Sequence, residues 1–409
     1  MTFDDLPTTF FDFIKSHENE DPASLRLRLH DKELGFDVNF AITQIECRKK
    51  CRKKLAGFLL NPRFLFPNEV SSEQASNEAV ARFHAGLIED CGSLLDMTSG
   101  LGIDVITMSR SARNVASCEI DKQKAMALKW NASILSAENI TVLNVDSVEW
   151  LRDNDSVFDV IFIDPARRGD QNARLYNLHD CQPDILSLLP LLRKRCDRLF
   201  IKASPLLDIS QTILDFQELK SIRAISVNGE CKELLVEVSR YYDNKILFEA
   251  IDLSNDSQII SRFSFHSKEG HDFIQKKGYS SIKYASSEDL KEACFIYEPN
   301  ASVMKLAPWE EISVDYPSLK KLDKSSHLFI SESPVSGFPG RILRIDKLLT
   351  KKDMKSIKGG RFNVVARNYP AEAQELRKKY SLKEGKEMFI YATRIGASPI
   401  LISAELIKR

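Results

Sequence analysis

The 409-residue chain lacks several features that would settle its class at once. No apolar run approaches the roughly 18–20 residues that a membrane helix needs, so no membrane partner is expected. The first residues, MTFDDLPTTFFDFIKSHENED, are acidic and have no basic flank ahead of an apolar stretch, so no signal peptide is expected. Eight cysteines occur without one CxxC pair. Cys47 and Cys51 would share one helix face, but no Cys or His pair of suitable spacing follows to complete a zinc site. Reduced thiols, a cytoplasmic location and no metal are the expectation. Internal repeats and low-complexity tracts are missing too. Net charge is also lacking, because basic and acidic residues number 58 each.

The distribution of that charge is uneven. Residues 341–409 hold 17 basic and 7 acidic residues, which leaves 41 and 51 for residues 1–340. Such asymmetry points to contact between the carboxyl-terminal segment and a polyanion; a solvated basic surface is the competing reading. The composition, 43% hydrophobic and 28% charged, is that of an ordinary globular chain, long enough for two to four domains.

The segment Leu94–Gly169 contains four apolar runs, each ending in Asp, Glu or Gly: LLDMTSGLGIDV, VASCEID, ITVLNVD and VFDVIFIDPARRG. Buried parallel strands read this way when their carboxyl ends carry polar groups into a ligand crevice. Residues 89–250 alternate strands with helices, which predicts a doubly wound α/β sheet. Its last two strands, AISVN and KELLVEVSRYY, follow without a helix between them, so an antiparallel strand is expected at one edge. Residues 1–88 read as a helical region. Ser71–Ile88 is predicted as one helix running into the first strand, with Gln74, Ser76 and Asn77 as the polar groups of a lid; a cap without ligand contact is the alternative. The basic run RKKCRKK lies on the polar face of the preceding helix, where it would meet RNA phosphates or only solvent. Residues 251–340 and 341–409 read as two small α+β units.

Asp96 ends the first strand, and Thr98, Gly100 and Gly102 form the turn into a helix. Glycine lets backbone N–H groups approach a ligand that a Cβ would push away. A dinucleotide fingerprint would place Gly or Ala where Val105 stands, so the loop suits a ligand without phosphates. Glu119 ends the second strand and could accept both hydroxyls of a ribose, with Asp121 as a competitor. Asp146 ends the third and could accept from an adenine amine. Adenine, ribose and no phosphate recognition together suggest S-adenosyl-L-methionine. Asp164 and Pro165 end the fourth strand, where a carboxylate and fixed carbonyls could orient a nucleophilic nitrogen towards a methyl group. Arg167 and Arg168 could bind substrate phosphates or pair with acids. Lys202, ending the fifth strand, would lie across the crevice from Asp164 and pair with an acid or face substrate. Asn228, Glu230 and Lys232 could approach the same pocket.

These residues resemble the class I S-adenosylmethionine-dependent methyltransferases, whose sheet is Rossmann-like. The resemblance implies that Asp96 lies near the methionyl part of the cofactor, that Gly100 and Gly102 pass beneath it, and that Glu119 holds ribose. It places Asp146 at adenine and Asp164-Pro165 at the start of the catalytic motif. DMTSGLGID, IDPARRG, IKASPLLD, FIYEPNASVMK (Phe295–Lys305) and FPGRI (Phe338–Ile342) further resemble a bacterial methyltransferase family that appends a ferredoxin-like and a carboxyl-terminal THUMP-like domain. Ala366–Thr393 resembles the last of these. The implied domains are a helical region at 1–88, a methyltransferase domain at 89–250, a ferredoxin-like domain at 251–340 and a THUMP-like domain at 341–409. The implied substrate is RNA, transfer or ribosomal.

The DPARR stretch lacks the aromatic residue with which base-amine methyltransferases stack on their target, so the resemblance does not choose the atom; guanine N2 and adenine N6 lead. Uridine C5 transfer would need a cysteine nucleophile, for which Cys231 and Cys181 are the candidates. Two other classes compete: an RNA-binding module with a vestigial methyltransferase fold, and a small-molecule methyltransferase. Val105 and DPARR disfavour a nicotinamide-dependent oxidoreductase.

Overall fold

The structure is a computed structural model that describes residues 3–30, 32–167, 178–267 and 282–408. The first sheet takes its strands from β1 (Cys91–Asp96), β2 (Ala112–Cys118), β3 (Ile140–Leu143), β4 (Phe158–Ile163), β5 (Cys196–Ala203), β6 (Leu219–Val227), β7 (Glu230–Ser239), β8 (Leu247–Leu253) and β9 (Ile259–His266). Their order is β9-β8-β6-β7-β5-β4-β1-β2-β3. Strands β1 to β5 pair in parallel, and β7 runs antiparallel between β5 and β6. Order reverses at β1, so the loops after β1 and β4 open on one crevice, where ligands of this architecture bind.

The central strands are apolar because both faces are covered. Leu94, Leu95, Ile161, Ile163 and Ile201 are fully buried. One covering layer is made by α6 (Ile103–Met108) and α7 (Lys122–Ile134). The amino-terminal helices α1 (Thr8–Ser16), α2 (Pro22–Arg28) and α3 (Val38–Cys51) form a small phenylalanine-rich core that reaches Trp130 of α7.

Three expectations are corrected. Ser71–Ile88 is two helices, α4 (Glu69–Gln74) and α5 (Glu78–Leu87). Ala75 is extended, and the Asn77 side chain accepts the Ala79 N–H, so it caps a new helix where continuity was expected. The first sheet also runs past residue 250, since β8 pairs in parallel with β6 and β9 antiparallel with β8. Consequently the antiparallel β7 lies inside the sheet instead of at its edge.

The second sheet has seven strands: β10 (Phe295–Pro299), β11 (Lys320–Lys321), β12 (Phe329–Ser331), β13 (Gly340–Leu348), β14 (Asn363–Ala366), β15 (Met388–Ile395) and β16 (Ser398–Lys408), in the order β11-β12-β10-β13-β16-β15-β14. The two expected carboxyl-terminal units therefore share one sheet, joined where β10 pairs with β13 and β13 with β16. Gly340 is forced at this join, because a Cβ would lie 2.1 Å from the Glu298 carbonyl oxygen. The short helix Ala301–Leu306 packs against β6, β7 and β8 and connects the two sheets. No described helix is long and apolar enough to cross a membrane.

Candidate active site

The glycine loop is built by its own backbone. The Thr98 N–H donates to Asp96 Oδ1 at 3.0 Å, and the Gly102 N–H donates to the Ser99 carbonyl at 2.8 Å. Gly102 caps α6 at φ +90°, and a Cβ there would meet Leu128 at 2.1 Å. Only glycine satisfies both limits. Gly100 also has positive φ, +55°, but open space lies where its Cβ would be. The first glycine thus borders a cavity and the second closes a helix against its neighbour.

Glu119 locks this loop to the next one. Its Oε2 accepts the Gly100 N–H and its Oε1 the Asp121 N–H, both at 2.8 Å. Each oxygen keeps a second acceptor position. Asp121, the competitor for ribose, caps α7 by accepting from Gln123 and Lys124. Asp146 similarly caps α8 (Ser147–Asp153) through Oδ1. Asp96 is buried, and burial pushes its carboxyl up to about 7, with the negative charges of Asp104 and Asp164 adding to the rise.

Asp164 joins the loops after β1 and β4, because its N–H donates to the Thr98 hydroxyl at 2.7 Å. Its carboxylate Oδ2 lies 2.8 Å from Lys202 Nζ. That ammonium also donates to Ser76 Oγ at 2.7 Å and lies 3.3 Å from Asp104 Oδ2 and 4.0 Å from Glu233 Oε2. His84, buried on α5, bridges the same acids, with Nδ1 2.9 Å from Asp104 and Nε2 2.6 Å from Glu233. Ser76 and Asp104 are hydrogen-bonded as well. Burial alone would lower the His84 pKa, but Glu233 and Asp104 outweigh it and raise it to about 9. Burial likewise opposes charge on Lys202, and Asp104, Asp164 and Glu233 hold it well above the usual lysine value. Both cations are therefore charged at neutral pH, and Lys202 serves as a fixed donor and not as a base.

Two cavities meet at Asp164. The larger, of about 580 Å³, is lined by Lys53, Lys54, Asn77, Asp164, Lys202 and Lys232, among others. The smaller lies over Asp96, Thr98, Gly100 and Gly102. Gln74, Ala75 and Ser76 line both. The break between α4 and α5 thus forms the wall between them, on the residues expected of a lid. Among the described residues, no group of three or more His, Cys, Asp or Glu is placed to hold a metal.

Comparison with known proteins bears on this geometry. Residues 83–178 match the family described as conserved hypothetical protein 95, residues 295–339 a ferredoxin-like domain, and residues 340–406 a THUMP domain-like family. The crystal structure of a candidate methyltransferase from Porphyromonas gingivalis matches with a TM-score of 0.82 and 25% identity over 98% of each chain. The chain therefore has a methyltransferase fold followed by segments that match ferredoxin-like and THUMP-like domains. An uncharacterized RNA methyltransferase of Mycoplasma mobile is 25% identical over 155 residues, which is 36% of this chain and 41% of that protein. The ribosomal RNA small subunit methyltransferase D of Buchnera aphidicola is 28% identical over 106 residues, 26% of this chain and 50% of that protein. The chain thus spans half or less of the length of these curated relatives.

Within this fold, the structure gathers Asp96, Thr98, Gly100, Gly102, Glu119, Asp164, Pro165 and Lys202 around one crevice. Asp146 lies three residues past the end of the neighbouring strand β3, at the start of α8. The backbone of Arg167 pairs with Cys181 in a two-residue ladder; its side chain and all of Arg168 lie outside the described residues. Cys231 is half-buried, and burial pushes its thiol up to about 11, which leaves little thiolate for attack. Cys181 is fully buried. Sequence reasoning assigned no role to His84, Asp104 or Glu233. One signal was available for Glu233, an acid at the head of the apolar run of β7. Its partners lie far off in sequence, and only the fold brings them together.

Proposed function

We propose that this chain is an S-adenosyl-L-methionine-dependent methyltransferase that methylates a base in RNA. The observation that carries the proposal is the meeting of two cavities at Asp164, one over the glycine loop and one rimmed by lysines. The residues fit the cofactor. Gly100 leaves open space at the loop. Asp96, raised to about 7 by burial and acidic neighbours, suits a ligand that brings a cationic ammonium group. Glu119 has acceptor positions left for hydroxyls, and Asp146 Oδ2 for an amine.

When bound, the cofactor supplies an electrophilic methyl group. The chain's own residues position the acceptor. Asp164 and the rigid Pro165 present oxygens at the boundary between the cavities, where an amine or ring N–H of a base would donate. Lys202 fixes the Asp164 carboxylate through its 2.8 Å contact, and the buried acids and His84 fix Lys202. The wall at Ala75 and Ser76 limits water between the two cavities. The relatives' RNA methyltransferase descriptions and the THUMP-like segment support RNA as the acceptor. The domain boundaries proposed are those of the sequence, with the first sheet extended to His266.

The test is transfer of labelled methyl from S-adenosyl-L-methionine to bulk RNA from a strain lacking this gene, separated into transfer and ribosomal fractions. Label in one fraction is expected. No label in either, with cofactor binding confirmed in parallel, would overturn the RNA assignment.

A further inference from the structure

We propose that Lys53, Lys54 and Lys232 form an anion site at the mouth of the larger cavity that holds a phosphate group of the substrate. The inference rests on the methyl-transfer reading of the cleft and adds the group that anchors the acceptor there. The three lysines line the same cavity as Asp164, whose volume of about 580 Å³ lies in the range of small-ligand sites.

Their electrostatic setting differs from that of Lys202. Lys202 is ringed by three carboxylates. Among the described residues, Lys53 and Lys54 have no carboxylate within 4 Å. Lys54 is partly buried and donates to the main-chain carbonyl of Glu73 at 2.9 Å. Burial lowers its pKa, and the positive charges of Lys202 and Lys232 lower it further. A cation held against other cations and short of acids is a site that an anion would stabilise. Lys232 does pair with Glu230 at 2.5 Å, but Glu230 is largely exposed and screened by solvent. The Asn228 amide, bonded to Asn255 at 2.6 Å, adds neutral polar groups along the same wall.

The backbone holds the lysines in place. Lys54 follows α3, and its own N–H bonds the Cys51 carbonyl at 2.9 Å. Its carbonyl accepts the Glu78 N–H of α5 at 3.0 Å. The turn that carries Lys53 and Lys54 is thus fastened to the helix whose start walls off the glycine loop. A phosphate bound there would lie beside the opening that leads to Asp164, as a nucleotide's phosphate lies one sugar away from its base. The chemistry is that of a phosphate group, whether a diester of an RNA strand or a monoester of a free nucleotide.

The test uses the full chain as wild type, K53Q/K54Q, K54R and K53Q. Binding of a mixed-sequence single-stranded RNA 12-mer is measured against salt, alongside binding of guanosine 5′-monophosphate and of S-adenosyl-L-methionine. The double variant is expected to lose about tenfold or more in RNA affinity near 0.1 M salt and to flatten the log–log salt slope by about 1 to 2. K54R should stay near wild type. K53Q, at an exposed position, should show about half the slope change even if loss of Lys54 lowers the melting temperature. Loss confined to the monophosphate would assign the site to a nucleotide monoester. Unchanged affinity and slope for RNA, with unchanged monophosphate binding, would overturn the proposal. Cofactor binding should be the same in all four proteins; its absence from the wild type would instead overturn the methyl-transfer reading and leave the lysine result to be judged on its own.

Discussion

Each of the two sheets buries a charged cluster, and the clusters differ in where they lead. In the first sheet, Lys202 and His84 sit among Asp104, Glu233 and Asp164, and the cluster opens on the cleft through Asp164, whose side chain is 41% exposed. In the second sheet, Glu298 accepts from Tyr391 at 2.9 Å and pairs with Arg341 at 3.2 Å and Arg367 at 3.5 Å. That cluster ties β10 to β13 and β15 and lines neither of the cavities that meet at Asp164. Burial and pairing are common to both. Both also reach solvent, but only the first has a member, Asp164, that lines a cavity of the cleft. Buried charge therefore marks a candidate site only when one of its members reaches a cavity; otherwise it fastens segments together.

Breaking each cluster separately tests the distinction. Asp104→Ala removes the acid shared by His84 and Lys202 and should destabilise the chain by about 3–5 kcal/mol, read from the urea midpoint. A loss below about 1 kcal/mol would mean that the cluster reorganises freely. Glu298→Gln should cost about 1–2 kcal/mol, less because both arginines are more than one-third exposed, and should leave S-adenosyl-L-methionine affinity unchanged. A changed cofactor affinity in this variant would join two clusters that are held to be separate.

The first cluster also has a pH signature. The His84 pKa in the folded chain, about 9, exceeds its unfolded value near 6.5. Its contribution to stability is fully present below about pH 6.5 and is lost as pH rises through 9. The urea midpoint should fall between pH 7 and 10, and His84→Gln should flatten that fall. An unchanged pH slope in the variant would remove His84 as its source. The smallest effect is expected at Cys231, beside the cluster with a half-buried, protonated thiol: Cys231→Ala should keep methyl transfer within about twofold. Complete loss would reopen a cysteine-dependent route.

Much of the first sheet was legible because parallel strands covered on both faces read as short apolar runs, and their ends were marked by Asp96, Glu119, Asp146 and Asp164. Gly100 and Gly102 were legible as a turn, although only the structure separates the glycine beside a cavity from the one against Leu128. Less was legible where distant pairing decides the outcome. Nothing local tells that Leu247–Leu253 joins β6 of the first sheet instead of opening a new unit. The break at Ala75–Asn77 did carry a signal, since Asn followed by Glu is a helix start, but the apolar period on either side outweighed it. The site's supporting shell was illegible for the same long-range reason, because His84 and Glu233 are 149 residues apart and each reads alone as an isolated polar residue.

The most direct measurement is methyl transfer to RNA by Asp164→Asn beside wild type under single-turnover conditions, with cofactor binding and melting temperature recorded for both. The account predicts a loss of about a hundredfold or more in transfer rate, with the cofactor still bound and the fold retained. Transfer at the wild-type rate by the folded, cofactor-bound variant would contradict it.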